Sequence, residues 1–299
     1  MEPIAPRLIL VPTDFSAPSA QALRHGAALA ARFSAHLLVI HADPFLQPVD
    51  YTISTAGLFA VPREELVESM RRQLQAFTEA NVTPAVPYDV RVLIGTPIDS
   101  IVAQVAETGA DLIVMGTHGR TGLRRLLVGS VTEAVMRLAP VPVIVVHGTG
   151  RETATPHWIV GCVSPARECR AAFRHAMVLG DESARFVLFG SAAVADRPFT
   201  IDDLRLLEVC TPDELVGRTS FKGIDSMESE DVVAAAQAER ADLIVLGIGA
   251  DRSFAEEFRG TMAERIVRQS ACPVLIVNRL AAARVNEEIH EYQPACAPA

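Results

Sequence analysis

The stretch ADLIVMG, Ala110–Gly116, returns as ADLIVLG, Ala241–Gly247, and this repetition decides the fold. Each copy is a Leu-Ile-Val run that opens after an aspartate and stops on glycine, the composition of a strand buried on both faces. The likeness extends outward on both sides. VPVIVV at Val141–Val146 reappears as CPVLIV at Cys272–Val277, at the same offset as the first pair. Near the start of each half, LILVPTDFS and LRHGAAL stand opposite WIVGCVSPA and FRHAMVL, with Arg24-His25 matching Arg174-His175. Between the halves lies HGTGRETATP, His147–Pro156, polar and bounded by Gly and Pro, a linker by composition. Two domains are expected, 1–147 and 157–279, followed by a frayed tail over 280–299.

Inside the first half, apolar runs alternate with segments of helical period. Leu8–Val11, Leu37–Ile40, Val90–Ile94, Leu112–Met115 and Val143–Val146 read as strands buried on both faces. Ser19–Phe33, Pro62–Ala80, Ile98–Glu107 and Val131–Leu138 read as helices. Five strands alternating with four helices predict an α/β domain with right-handed crossovers and an open, doubly wound parallel sheet. Pro142 and Pro273 place the last strand of each half at a sheet edge. Two such edges in one chain are able to pair with each other. The second half has a shorter segment between its second strand and third helix, so a helix there is missing or reduced.

The chain has 299 residues, 49% of them hydrophobic, enough for one large core or two ordinary ones. A formal net charge of −9 argues against nucleic acid or an anionic membrane as partner, since both reward a basic surface. Arg120, Arg124 and Arg125 cluster locally, which keeps a small anionic ligand open. Five cysteines (Cys162, Cys169, Cys210, Cys272, Cys296) form no metal-ligand spacing and read as reduced structural thiols. The first apolar run is too short for a signal core or a membrane span, and the cytoplasm is the expected compartment.

The chemistry concentrates after the first copy of the repeated strand. MGTHGRTGLRRLLVGSVTEAV, Met115–Val135, places Gly116 at the strand end, then Gly119, then a Gly129-Ser130 pair opening a helix. Glycine suits a place where side chains do not fit, so bare main chain here suggests an approaching ligand. Ligands of such sheets bind at the carboxyl ends of strands, where strand order reverses, and Pro12-Thr13-Asp14 ends the first strand at that same edge. Free amides at a helix start bind phosphate, Asp14 suits ribose hydroxyls, and Arg120 or Arg124 balances phosphate charge. A structural account stands beside this one. Ser130-x-x-Glu133 reads as a capping box, kept in the second half as Thr261-x-x-Glu264, and Asp14 or Ser16 reads as a cap of the first helix.

Gly116-x-x-Gly119, nine residues, then Gly129-Ser130 resembles the nucleotide-binding signature of universal stress proteins. ILVPTDFS resembles that family's first strand and ATP-contacting loop, and VIHADP the end of its second strand. The resemblance implies tandem five-stranded sheets of order 3-2-1-4-5, dimer-like pairing of the last strands, and ATP as the ligand. It implies that Pro12, Thr13 and Asp14 flank adenosine, that Ala42 and Met115 lie near adenine, and that Gly116, Gly119, Gly129, Ser130 and Val131 hold ribose and phosphates. ADP, AMP or a cyclic nucleotide would use much of the same cradle, and Mg²⁺ is an optional companion.

The second half departs from this pattern. Ala250 replaces the middle glycine, Ser164 replaces Asp14, and Asp251 replaces Arg120. One nucleotide site per chain is expected, with the second half as the partner of an internal pseudo-dimer; whether the chain also forms a homodimer stays open. His41 and His118 near the crevice read as packed rather than catalytic, and Asp111 and Asp242 as turn or cap residues rather than metal ligands. The long connection Asp43–Pro62 reads either as a lid or interaction surface or as a poorly ordered excursion. Three functions follow: an ATP-binding stress-response regulator that is at most a slow ATPase, a phosphoryl-transfer enzyme, or a nucleotide-independent scaffold. The absence of a Gly-Lys-Ser/Thr turn weighs against the second.

Overall fold

The computed structural model describes residues 5–44, 63–117, 128–147, 155–162, 167–191, 215, 217–226, 228–249 and 261–284. The first half runs β1 Leu8–Pro12, α1 Ala17–Phe33, β2 His36–Asp43, α2 Arg63–Glu79, β3 Tyr88–Ile94, α3 Pro97–Thr108, β4 Leu112–Gly116, α4 Ser130–Leu138 and β5 Val143–Val146. The second runs β6 Trp158–Cys162, α5 Arg167–Leu179, β7 Arg185–Ser191, β8 Thr219–Ile224, α6 Ser229–Ala238, β9 Leu243–Ile248, α7 Met262–Gln269 and β10 Val274–Asn278. The segment between β7 and β8 expected to lack a helix lies largely outside the described residues, as do the linker over 148–154 and most of the connection after Asp43.

All ten strands join one sheet, in the order β3-β2-β1-β4-β5-β10-β9-β6-β7-β8. Each half therefore has the order 3-2-1-4-5, and the two last strands meet at the centre. β5 and β10 run antiparallel, with Val145 opposite Val274, Ile144 opposite Leu275 and Val143 opposite Ile276. All other pairings are parallel. Pro142 and Pro273 sit immediately before these strands, where a missing N–H costs no ladder bond, and their carbonyls accept from Ile113 and Ile244.

Local sequence explains the boundaries. Ser16 caps α1 by accepting the Ser19 amide, a proline stands in the first turn, and Ser34 ends the helix in the left-handed region. Thr96 and Gly109 do the same for α3. Asp111 Oδ2 takes the amides of Arg7 and Leu8, and Asp242 Oδ2 takes those of His157 and Trp158. These matching aspartates brace the starts of β1 and β6.

Two apolar layers sandwich the sheet and both cross the seam. One packs Leu23, Leu29 and Leu74 from α1 and α2 with Phe173 and Leu179 from α5. The other packs Ile101, Val105 and Val135 from α3 and α4 with Val232, Ile266 and Val267 from α6 and α7. Arg32 ties the halves further, donating to the carbonyls of Leu179 and Gly180 at the end of α5.

Two expectations need correction. β3 is not buried on both faces: it is one of the two outer strands of the sheet, Asp89, Arg91 and Ile94 are exposed, and the rest are half-buried. The start of the tail is not frayed either. Residues 279–284 form a helical turn, with Ala281 and Ala282 buried and the Ala281 amide bound to Asn278 Oδ1 at 2.9 Å. Cys169 and Cys272 are not joined in disulfides, and burial, with Asp242 adding, pushes the Cys272 thiol up to about 12. No helix among the described residues is long and apolar enough to cross a membrane.

Candidate functional site

Strands β2, β1 and β4 are neighbours and end on one edge of the sheet, at Asp43, Pro12 and Gly116. From β1 the chain turns to α1 on one face; from β4 it turns to α4 on the other. Strand order reverses between β1 and β4, so the loops leaving them diverge and open a crevice.

Pro12, Thr13, Asp14, Ala42, Met115, Gly116, Gly129, Ser130 and Val131 all fall at this edge. Gly119 and Arg120, like Arg124, Arg125 and His118, lie outside the described residues. The Thr13 amide donates to Ile40 at 2.8 Å, which carries the β1–β2 ladder one residue past Pro12. Two side-chain turns then shape the loop: Thr13 Oγ1 accepts the Phe15 amide at 3.0 Å, and Asp14 Oδ1 accepts the Ser16 amide at 3.1 Å. Ser16, not Asp14, is the cap of α1. Asp14 is half-buried at the mouth, beside half-buried Pro12 and Ala42. Met115 turns its side chain into the core.

Phe15 between these turns has φ +65°, a conformation uncommon for an aromatic residue and invisible in the sequence. Its ring packs 4.6 Å from His41 and 5.4 Å from Phe77, centroid to centroid. His41 is buried, with Nδ1 2.8 Å from the Thr13 carbonyl. It holds the loop from beneath.

Gly116 has a protein reason for being glycine. A Cβ there would stand 2.9 Å from both the carbonyl carbon and oxygen of Pro18, in the first turn of α1. The main chain that approaches Gly116 is the protein's own, which corrects the ligand argument at that position. Gly247 in the second half is crowded in the same way by Glu168 and Cys169 of α5.

The capping box expected at Ser130 is also absent. Gly129 is the cap of α4, with φ −63° and ψ 142°, and it brings no side-chain hydrogen bond to the helix start. Its amide donates to Thr117 at 2.8 Å, and the Thr132 hydroxyl donates to the Gly116 carbonyl at 2.8 Å, which fixes α4 to the end of β4. The first-turn amides of Ser130 and Val131 have no intrahelical partner. In α7 the matching start is closed. Thr261 Oγ1 accepts the Glu264 amide at 3.2 Å while Glu264 Oε2 accepts the Thr261 amide at 2.9 Å. The sequence shows the same spacing in both halves; among the described residues, only the structure separates a helix start without a side-chain cap from one closed by a capping box. Among the described residues, no group of three His, Cys, Asp or Glu is placed to hold a metal ion.

A family model described as "Universal stress protein family" matches residues 6–147 and 202–278. The gap between these stretches contains β6, α5 and β7, which complete the second unit. A universal stress protein of Methanocaldococcus jannaschii is 34% identical over 147 residues, 48% of this chain and 84% of its own. The solved structure of a universal stress protein from Archaeoglobus fulgidus aligns over 93% of this chain and 98% of its own, with a TM-score of 0.62 and 18% identity. A functionally unknown protein from Pseudomonas aeruginosa aligns over 97% of this chain and 98% of its own, with a TM-score of 0.56 and 16% identity. These last two share the fold. With its repeated unit, its strand order and the family match over both halves, the chain belongs to the universal stress protein family.

Proposed function

We propose that this chain is an adenine-nucleotide-binding regulator of the cytoplasmic stress response, with one site, at the β1–β4 crevice of its first half. One observation carries the reading. α4 starts at a bare Gly129 with no side-chain cap, on the edge where Asp14 stands, whereas α7 closes its start with Thr261 and Glu264. Helix-start amides and the positive end of the helix dipole suit a phosphate. The amides of Ser130 and Val131 hold the phosphates, Asp14 accepts from ribose hydroxyls, and Pro12, Ala42 and the main chain of Met115 border adenine. Gly119 and Arg120 complete the cradle in this reading. ATP, ADP or AMP fits the same chemistry, with or without Mg²⁺.

Binding rather than turnover is the activity. The chain's single lysine, Lys222, sits on the outer strand β8 in an ion pair with Glu239, so no lysine serves the crevice as in phosphate-binding loops that drive transfer. Nucleotide stabilises the state that binds it and shifts which surfaces partners meet. The test is labelled-ATP binding to the purified chain and to Gly129→Val and Asp14→Ala. Gly129 has backbone angles open to any residue, so Gly129→Val keeps the fold while its branched side chain covers the first-turn amides. Loss of binding in both folded variants is the expected result. Wild-type binding in Gly129→Val refutes the site.

A further inference from the structure

Two side chains cross the seam in opposite directions and do matching work. Asn278, at the end of β10, donates from Nδ2 to Met136 O at 3.0 Å and Ala139 O at 2.8 Å, at the C-terminus of α4. Its Oδ1 accepts the Ala281 amide, so the amide group is used on both sides. His147, at the matching position after β5, donates from Nε2 to the Val267 carbonyl near the end of α7. Met136 and Val267 also match in the repeat. Each unit's last helix is thus held by the other unit.

The need is chemical. Carbonyls in the last turn have no partner in their own helix, and Met136 loses its usual one because residue 140 is a proline with no N–H. Asn278, Met136 and Ala139 are all at most 4% exposed, so water does not substitute. A buried carbonyl left unpaired is costly, and the seam is where the donor comes from.

The other ends of the two helices differ. α7 begins in a capping box, whereas α4 begins at Gly129, with no side-chain cap among the described residues. α4 has nine residues, a rod of about 13 Å, so a shift at one end is felt at the other. We infer that Asn278 is a positioning residue for the nucleotide cradle of the opposite half: by holding the C-terminus of α4 it keeps the amides of Ser130 and Val131 in register with the end of β4. The inference rests on the adenine-nucleotide reading above.

The test is calorimetric titration of ATP into the full chain and three variants, each with its melting temperature. Asn278→Ala lowers ATP affinity roughly five- to tenfold, because the binding-competent placement of α4 becomes a minor population. Asn278→His supplies the kind of donor that His147 supplies at the other clamp, and it restores most of that affinity. His147→Ala lowers the melting temperature in the same way but leaves affinity within about twofold, since the helix it holds serves no site. If Asn278→Ala does not fold, Asn278→Ser retains one donor and shows a smaller loss in the same direction. Wild-type affinity in the Asn278 variants, or an equal loss in His147→Ala, overturns the clamp and leaves the nucleotide reading standing. Failure of the wild-type chain to bind ATP overturns the reading and the clamp with it.

Discussion

Gly116 and Gly129 look alike in the sequence and do different work. Gly116 is bare because Pro18 stands against it, so Gly116→Ala is expected to destabilise the fold by about 1–3 kcal/mol in urea titration. Unchanged stability would show that α1 yields and that the contact is not the reason for glycine. His175 offers a second test at this scale. Its Nε2 is buried without a hydrogen-bond partner. Burial pushes the imidazole down to about 4; nearby Arg174 adds to the shift and Asp111 opposes it. Unfolded, the same imidazole titrates near about 6.5, so between these values the unfolded chain binds the extra proton. Stability is therefore present above pH ~6.5 and lost as pH falls toward about 4, by at most about 3 kcal/mol. His175→Leu flattens that stretch of the stability–pH profile; an identical acid loss in the variant would assign the effect elsewhere. None of this is visible in the sequence. Sequence marks a glycine as bare without saying what stands against it, and it gives no sign that Phe15 takes a left-handed turn.

Elements were more legible than residues. The strands and helices of the first half fall within a few residues of their expected bounds, because buried parallel strands and amphipathic helices leave strong periodic signals. β3 reads in the sequence as a central strand because Val90, Val92, Leu93 and Ile94 match that composition, and only sheet order reveals it as an outer one. The helix starts show the limit of a motif. Ser130-x-x-Glu133 and Thr261-x-x-Glu264 share one spacing, yet α7 starts one residue later in the repeat than α4 and only it forms the box. Thr261→Ala is expected to cost about 1 kcal/mol of stability by chemical denaturation. It leaves nucleotide binding intact, since α7 is assigned no ligand; weakened ATP binding in this variant would place α7 in the site.

At the scale of the molecule, the repeat points to two units with edges able to pair; the structure joins their last strands and, beyond what the sequence shows, runs both cores across the seam. The pairing buries the edge each unit would otherwise present, and the outer strands of the whole sheet are β3 and β8. Symmetry of the scaffold and asymmetry of the helix starts together make the central claim, that one half binds an adenine nucleotide and the other supports it. Calorimetric titration of ATP into the intact chain tests this most directly. The account predicts about one nucleotide per chain, with that site abolished in Gly129→Val. Two equal sites, or a single site that survives Gly129→Val, would contradict it.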